Sequence, residues 1–130
     1  MASPSGPFTA QTYALLRIVS GFLLLWHGSQ KLLGFPGGVP DAPAYVLYVA
    51  GPIELIGGIL LVIGFMTRGT AFLCSGLMAV AYWMSHGMNA VLPFENRGEL
   101  AVIFCFVYLF ISAQGPGIWS VDAKRSKRRF

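Results

Sequence analysis

The chain has 130 residues, 55% of them apolar and only 11% charged, whereas a soluble domain carries roughly 25% charge. That deficit excludes most water-exposed surfaces, and Gly and Pro scattered without a period of three exclude the disordered and collagenous classes. Five acidic against nine basic residues give a net charge of +4, and five of the bases crowd into Lys124, Arg125, Lys127, Arg128 and Arg129. An integral membrane protein remains, with an all-α fold expected as a polytopic four-helix bundle in a single membrane domain.

Crossing a hydrocarbon core of about 30 Å takes roughly 20 apolar residues in a helix, and four windows of that length stand between polar punctuation. The first runs from about Gln11 to Leu33. The sixteen residues that open the chain hold no base and no small-residue cleavage site follows, so this segment is expected to persist rather than be removed as a signal peptide. The Gly/Pro-rich stretch Gly34 to Pro43 ends it. A second span is expected from about Ala44 to Met66, kinked at Gly51-Pro52. A third follows from about Gly69 to Gly87, with Thr67 and Arg68 as the tight turn between. The fourth, from about Gly98 to Gly115, starts at a capping box formed by Asn96 and Glu99. Trp119 is placed as an interfacial anchor ahead of a basic tail over residues 119–130. Four spans leave both termini on one side. Arg17, Arg68 and the tail bases against only Lys31 and Arg97 make that side the cytoplasm of a bacterial inner membrane.

An ionisable side chain at bilayer depth costs at least about 2.5 kcal/mol and usually faces the bundle interior. On the first helix Arg17, Ser20, Gly21, Leu24, His27, Gly28 and Lys31 fall within a stripe roughly 120° wide. On the second, Gly51, Gly57, Gly58 and Leu61 lie beside Glu54, so backbones can approach the carboxylate. The third offers Ser75, Ala79, Tyr82 and His86, with Met78 at the margin, and the fourth Ala101, Cys105, Tyr108 and Ser112. Together these faces describe a polar interior, open on the outer side and closed below by Arg17. Counting 1.5 Å per residue places Glu54 about 16 Å and Arg17 about 9 Å above the inner edge, within reach of an ion pair.

The candidate ligand-binding set is therefore Arg17, His27, Lys31, Glu54, Tyr82 and His86, with no catalytic residue assigned and no metal site expected. Each has a structural alternative: an ion pair fixing register for Arg17 and Glu54, a lysine reaching the outer head groups for Lys31, interfacial packing for Tyr82. His27 and His86 come from two helices, the arrangement that ligates a b-type haem; hydrogen-bonded packing histidines are the preferred reading. Tyr82, Trp83 and Trp26 could stack on a quinone. Cys74 and Cys105 show no metal or disulfide spacing, and the basic tail is read as a membrane flank facing anionic lipid, with no nucleic acid as partner.

Arg17 with Gly21, then His27-Gly28-Ser29-Gln30-Lys31-Leu32, resembles the first-helix motif of the DoxX family. Glu54-Leu55-Ile56-Gly57-Gly58 followed by Gly64-Phe65-Met66-Thr67-Arg68 is similar to its second-helix signature, and Gly98-Glu99-Leu100 to the start of its last helix. The resemblance covers about residues 11–115. It implies a small bacterial inner-membrane protein of four helices, in a superfamily that includes the membrane subunits of thiosulfate:quinone oxidoreductase and components linked to redox balance or to maturation of partner enzymes. It also marks Arg17, His27, Lys31 and Glu54 as family-typical positions. No phosphate loop, dinucleotide fingerprint or soluble redox domain is present, so any electron donor is a separate chain or a small molecule. The expected function is an accessory subunit of a membrane redox or energy-converting complex, with a small polar or quinone-type ligand cavity. It would be at most a subunit of a quinone-linked oxidoreductase. The alternative is a purely structural subunit packing against larger membrane proteins or against its own copies.

Overall fold

The computed structural model describes residues 5–39, 41–87 and 90–128. Among them the chain is helical throughout, without strands. Four longer helices pack antiparallel: α1 (Thr9–Leu32), α2 (Gly51–Ile63), α3 (Thr67–Ala81) and α5 (Glu99–Gln114), with the short α4 (Pro93–Asn96) and the basic α6 (Val121–Arg128) at opposite ends. One helical stretch, Val46–Ile63, is long and apolar enough to cross a membrane by length and composition among the described residues.

At Gly51-Pro52, where a kink is expected, the helical geometry changes without interruption of the helix. Proline lacks an N–H and cannot close the regular ladder; the preceding residues Val46–Ala50 adopt a π-helical turn that passes into α2 at Gly51. A second π-helical turn, Tyr82–His86, extends the far end of α3. The turn between α2 and α3 sits earlier than the sequence predicts, at Gly64–Met66, because Gly64 takes the left-handed conformation (φ 70°) and its N–H and that of Phe65 both return to the Leu60 carbonyl. Thr67 and Arg68 thus begin α3 instead of forming the turn.

Helices α1 and α2 touch through glycine. A Cβ on Gly28 would stand 2.7 Å from the Leu55 Cα, and one on Gly58 would stand 2.6 Å from the Leu25 nitrogen, so the two backbones are in van der Waals contact. The buried face of α2 is Gly51, Glu54, Gly57, Gly58 and Leu61, the set its glycine spacing predicts. The buried faces of α3 and α5 are rotated from expectation. On α3 the face is Thr67, Ala71, Cys74, Ser75 and Met78, since the wide turn beyond Ala81 breaks the 3.6 period that would have linked Ala79 to His86. On α5 Phe104 and Ile111 are buried with Ala101 and Tyr108, while Cys105 and Ser112 are only half-buried. The middle of the bundle is consequently an apolar core of Leu24, Leu61, Cys74, Met78, Phe104, Tyr108 and Ile111, and the polar groups divide between its two ends.

The end holding the chain termini is tied by side chains to backbone. Arg68 donates to the carbonyls of Ser112 (3.1 Å) and Ala113 (2.6 Å), where α5 exposes unpaired acceptors and the negative end of its dipole. Asp122 of α6 accepts from the backbone N–H groups of Met66 (3.0 Å) and Thr67 (2.9 Å) and from the Thr67 hydroxyl (2.8 Å), capping α3 from outside the helix. The basic tail begins as a folded element, with Arg125 over the Phe65 ring at 5.4 Å; Arg129 lies outside the described residues.

Burial pushes the Asp122 carboxyl upward, but the donated bonds of Thr67 and Met66 and the charge of Arg125 outweigh it and hold it below the usual carboxylate range. A carboxyl depressed in the folded state contributes stability above its ordinary pKa and loses it as pH falls through the folded value. Asp122→Ala is therefore expected to cost about 1 kcal/mol at pH 7. Thermal melts of the two proteins in detergent should converge as pH is lowered below about 4; a constant gap down to about pH 3 would show that the cap does not act through its charge.

The capping box expected at the start of α5 does not form. Gly98 occupies the cap position, without a side-chain cap. Asn96 is buried one step earlier: its Oδ1 accepts from the Gly98 N–H (2.9 Å), and its Nδ2 donates to the Tyr82 hydroxyl (3.0 Å) and the Ala90 carbonyl (3.2 Å). The short helix α4 ends at Arg97 in the left-handed conformation (φ 61°), so the loop folds back on α3 before α5 starts.

Candidate functional site

A cavity of about 450 Å³ opens at the end of the bundle opposite the termini, within the size range of small-molecule sites. Its floor is Leu24, Met78 and Phe104; its polar groups are His27, Lys31, Glu54, Ser85, His86 and Arg97. Apart from Tyr45, the rest of the lining is apolar and includes Val46, Val49 and Ala50 from the first π-helical turn and Met84 from the second.

Glu54 is brought to the cavity by the glycine face of α2, which lets α1 lie close enough for Lys31 to reach it. Lys31 Nζ and a Glu54 carboxylate oxygen form the one ion pair among the described residues. Glu54 is 4% exposed and Lys31 20%, so the charge is neutralised in place where an isolated carboxylate would be costly. Lys31 thus turns its ammonium to Glu54. Its place in the last turn of α1 puts it one helix-width from Glu54, because α2 runs antiparallel and Gly51 packs against the Lys31 Cβ position.

His27 stands one turn deeper on α1, half-buried, its ring edge-on to Phe104 with centroids 6.4 Å apart. Among the described residues neither ring nitrogen has a hydrogen-bond partner. His86 donates from Nδ1 to the Asn96 carbonyl (3.1 Å), and its Nε2 has no hydrogen-bond partner among the described residues. The two histidines border the same cavity.

Arg17 and Tyr82 do not line the cavity, and the expected Arg17–Glu54 pair does not form. The guanidinium turns toward the termini and donates to the carbonyls of Leu61 (3.0 Å), Pro116, Ile118 (3.1 Å) and Trp119 (2.7 Å). Leu61 is seven residues along α2 from Glu54, about 10 Å at 1.5 Å per residue, and Leu24, Leu61 and Tyr108 fill the space between. Tyr82 is occupied with structure: it accepts from Asn96, stands edge-on to Trp83 at 5.1 Å and covers Gly98, whose added Cβ would meet its ring at 2.6 Å. The bonds of Asn96 were not signalled by the sequence, because they depend on how the loop before α5 folds back, nor was the place of Met84, which depends on the π-helical turn after α3.

A part-buried lysine–carboxylate pair stands beside an imidazole with no hydrogen-bond partner among the described residues, in a largely apolar cavity at one end of a small helical protein whose first two long helices pack through glycine. The chain belongs to the DoxX family, whose profile matches residues 12–87, more than half of its length. It is 38% identical over 122 residues to an uncharacterized protein of Haemophilus influenzae, covering 88% of this chain and 91% of that one. It is 39% identical over 113 residues to CatD of Bacillus subtilis, named as a proposed oxidoreductase, covering 83% and 82%. It is 27% identical over 122 residues to the inner membrane protein YqjF of Escherichia coli, covering 86% and 90%. No solved structure matches the chain.

Proposed function

We propose that this DoxX-family membrane protein is an accessory subunit of a redox or energy-converting complex in the bacterial inner membrane, and that its cavity receives a quinone-type head group. The observation that carries the reading is the Lys31–Glu54 pair standing beside the unpartnered His27 ring on a largely apolar wall. The oxidoreductase named in CatD and the inner membrane named in YqjF support the setting. In this reading α1, α2, α3 and α5, with their π-helical extensions, cross the bilayer, and both termini face the cytoplasm. Arg68, Lys124 and Arg125 lie at that end, as basic flanks prefer.

His27 offers the ligand a hydrogen bond from either ring nitrogen. Lys31 balances the Glu54 charge and presents its own to a carbonyl oxygen. Glu54 accepts or returns a proton at the same point, so ligand chemistry that moves a proton has an acid–base partner in place. The electrons come from a larger membrane subunit or a small-molecule donor, since the chain carries no redox motif of its own.

Glu54→Gln keeps the shape and removes the charge. It is expected to lower quinone-linked turnover of the assembled complex on the order of a hundredfold, with the variant present at normal levels in the membrane. Full turnover in a normally assembled complex carrying Glu54→Gln would overturn the reading. Native mass spectrometry in mild detergent gives an independent measure: a retained quinone supports the cavity, whereas larger subunits with no small ligand would make the chain a purely structural component.

A further inference from the structure

The cavity wall has two unlike halves. The α1-facing side carries His27, Lys31 and Glu54, while the opposite flank is formed where α2 and α3 end in their π-helical turns. Val49, Val80 and Met84 line the cavity there, yet they are 56%, 53% and 55% exposed. A side chain that lines a cavity and is half exposed marks its rim. These three are apolar and sit on helices whose remaining outward residues, such as Ile56, Ile59 and Phe72, are apolar as well. The rim also holds Tyr45, Leu100 and the polar Ser85 and Arg97, so part of it meets polar surroundings; the stretch of Val49, Val80 and Met84 suits hydrocarbon.

The widening has a local cause. Lower down, α2 and α3 are close: a Cβ on Gly57 would stand 2.7 Å from Cys74 Sγ. Beyond that contact each helix passes into a π-helical turn, Val46–Ala50 in one and Tyr82–His86 in the other. Such turns are uncommon, disturb the regular packing ridge and recur at functional sites. Two of them, far apart in the chain, border the same gap.

Building on the cavity reading above, we propose that the site is entered sideways from the bilayer, through the gap between the two π-helical turns. Its occupant is a lipid-soluble quinone whose polar head reaches His27, Lys31 and Glu54 while its apolar tail leaves between Val49 and Met84. Substrate is delivered by lateral diffusion in the membrane.

The test compares two probes on the whole protein in lipid nanodiscs: decylubiquinone, which partitions into the bilayer, and its tail-free parent quinone, which arrives from water. Val49→Trp combined with Met84→Trp fills the gap with side chains at exposed positions and leaves the polar groups untouched. Binding of decylubiquinone is expected to slow at least tenfold, with tail-free binding within twofold of the unaltered protein. Ile56→Trp, equally exposed on α2 but off the rim, should change neither. An unchanged decylubiquinone rate in the double variant, or an equal loss for both probes, would overturn the sideways route while leaving the cavity reading standing. Binding of neither probe by the unaltered protein would overturn both.

Discussion

Replacing Arg17 by methionine is expected to destabilise the protein by on the order of 4 kcal/mol, since it removes four charge-assisted bonds at once. The side chain is fully buried, and its Nε and two terminal nitrogens hold the carbonyls of Leu61, Pro116, Ile118 and Trp119. Among the described residues none of these acceptors has another side-chain donor, so the turn from Pro116 to Trp119 would lose what draws it onto the bundle. Tyr13, which donates to the Gly115 carbonyl at 2.5 Å, and Asp122 hold only its edges. Arg17→Lys restores the charge but not the planar fork that spans three loop carbonyls, and should recover less than half of the loss. Thermal melting in detergent reads the first effect. The rate of trypsin cleavage at Lys124 and Arg125 reads release of the segment. A methionine variant that melts and is cleaved like the unaltered chain would remove Arg17 from its role as the fastener of this end.

The second large effect is expected at Gly28. An alanine Cβ there would overlap the Leu55 nitrogen and stand 2.7 Å from both the Gly51 carbonyl oxygen and the Leu55 Cα. Those atoms are helix backbone and cannot swing aside, so α1 and α2 must separate. Overpacking costs about 1–3 kcal/mol when side chains can adjust, and Gly28→Ala belongs at the upper end. The separation also acts on the site, because Lys31 lies one turn beyond Gly28 and its reach to Glu54 depends on the close approach. Gly76→Ala is the matched comparison: nothing lies within 4 Å of an added Cβ, and the better helix former should be neutral or stabilising by up to about 1 kcal/mol. Melting temperatures of the two variants should move in opposite directions or differ by several degrees. Equal melting temperatures would mean that the glycine contact between α1 and α2 is not tight.

The helical class and the glycine face of α2 were legible because they follow from local pattern. Glu54 among Gly51, Gly57 and Gly58 can face only a neighbouring helix. His27 and Lys31 were legible as a pair for the same reason, since they share a face one turn apart. What each polar group bonds to was not. Arg17 and Glu54 were opposite charges at comparable depth, but a guanidinium is equally well satisfied by backbone carbonyls, and carbonyls at the end of a chain leave no mark in composition. Its true partners became visible only once residues 116–119 were seen to fold under α1. The phase of α3 was lost to a π-helical turn, whose extra residue defeats any fixed period. Asn96 looked like a helix cap by spacing; the glycine after Arg97 took that position instead and freed Asn96 to pin Tyr82.

Between the two polar ends lie Leu24, Leu61 and Tyr108, each with no exposed surface, and the Tyr108 hydroxyl is already committed to the Ser20 carbonyl at 2.9 Å. In electrical terms this section is insulation. The lysine, carboxylate and imidazoles of the cavity are on one side of it and the guanidinium with its carbonyls is on the other, with no carboxylate, lysine or histidine among the described residues to relay charge across. In the reading proposed above, Glu54 exchanges its proton at the cavity end of the bundle, and the site works as a vestibule with one side.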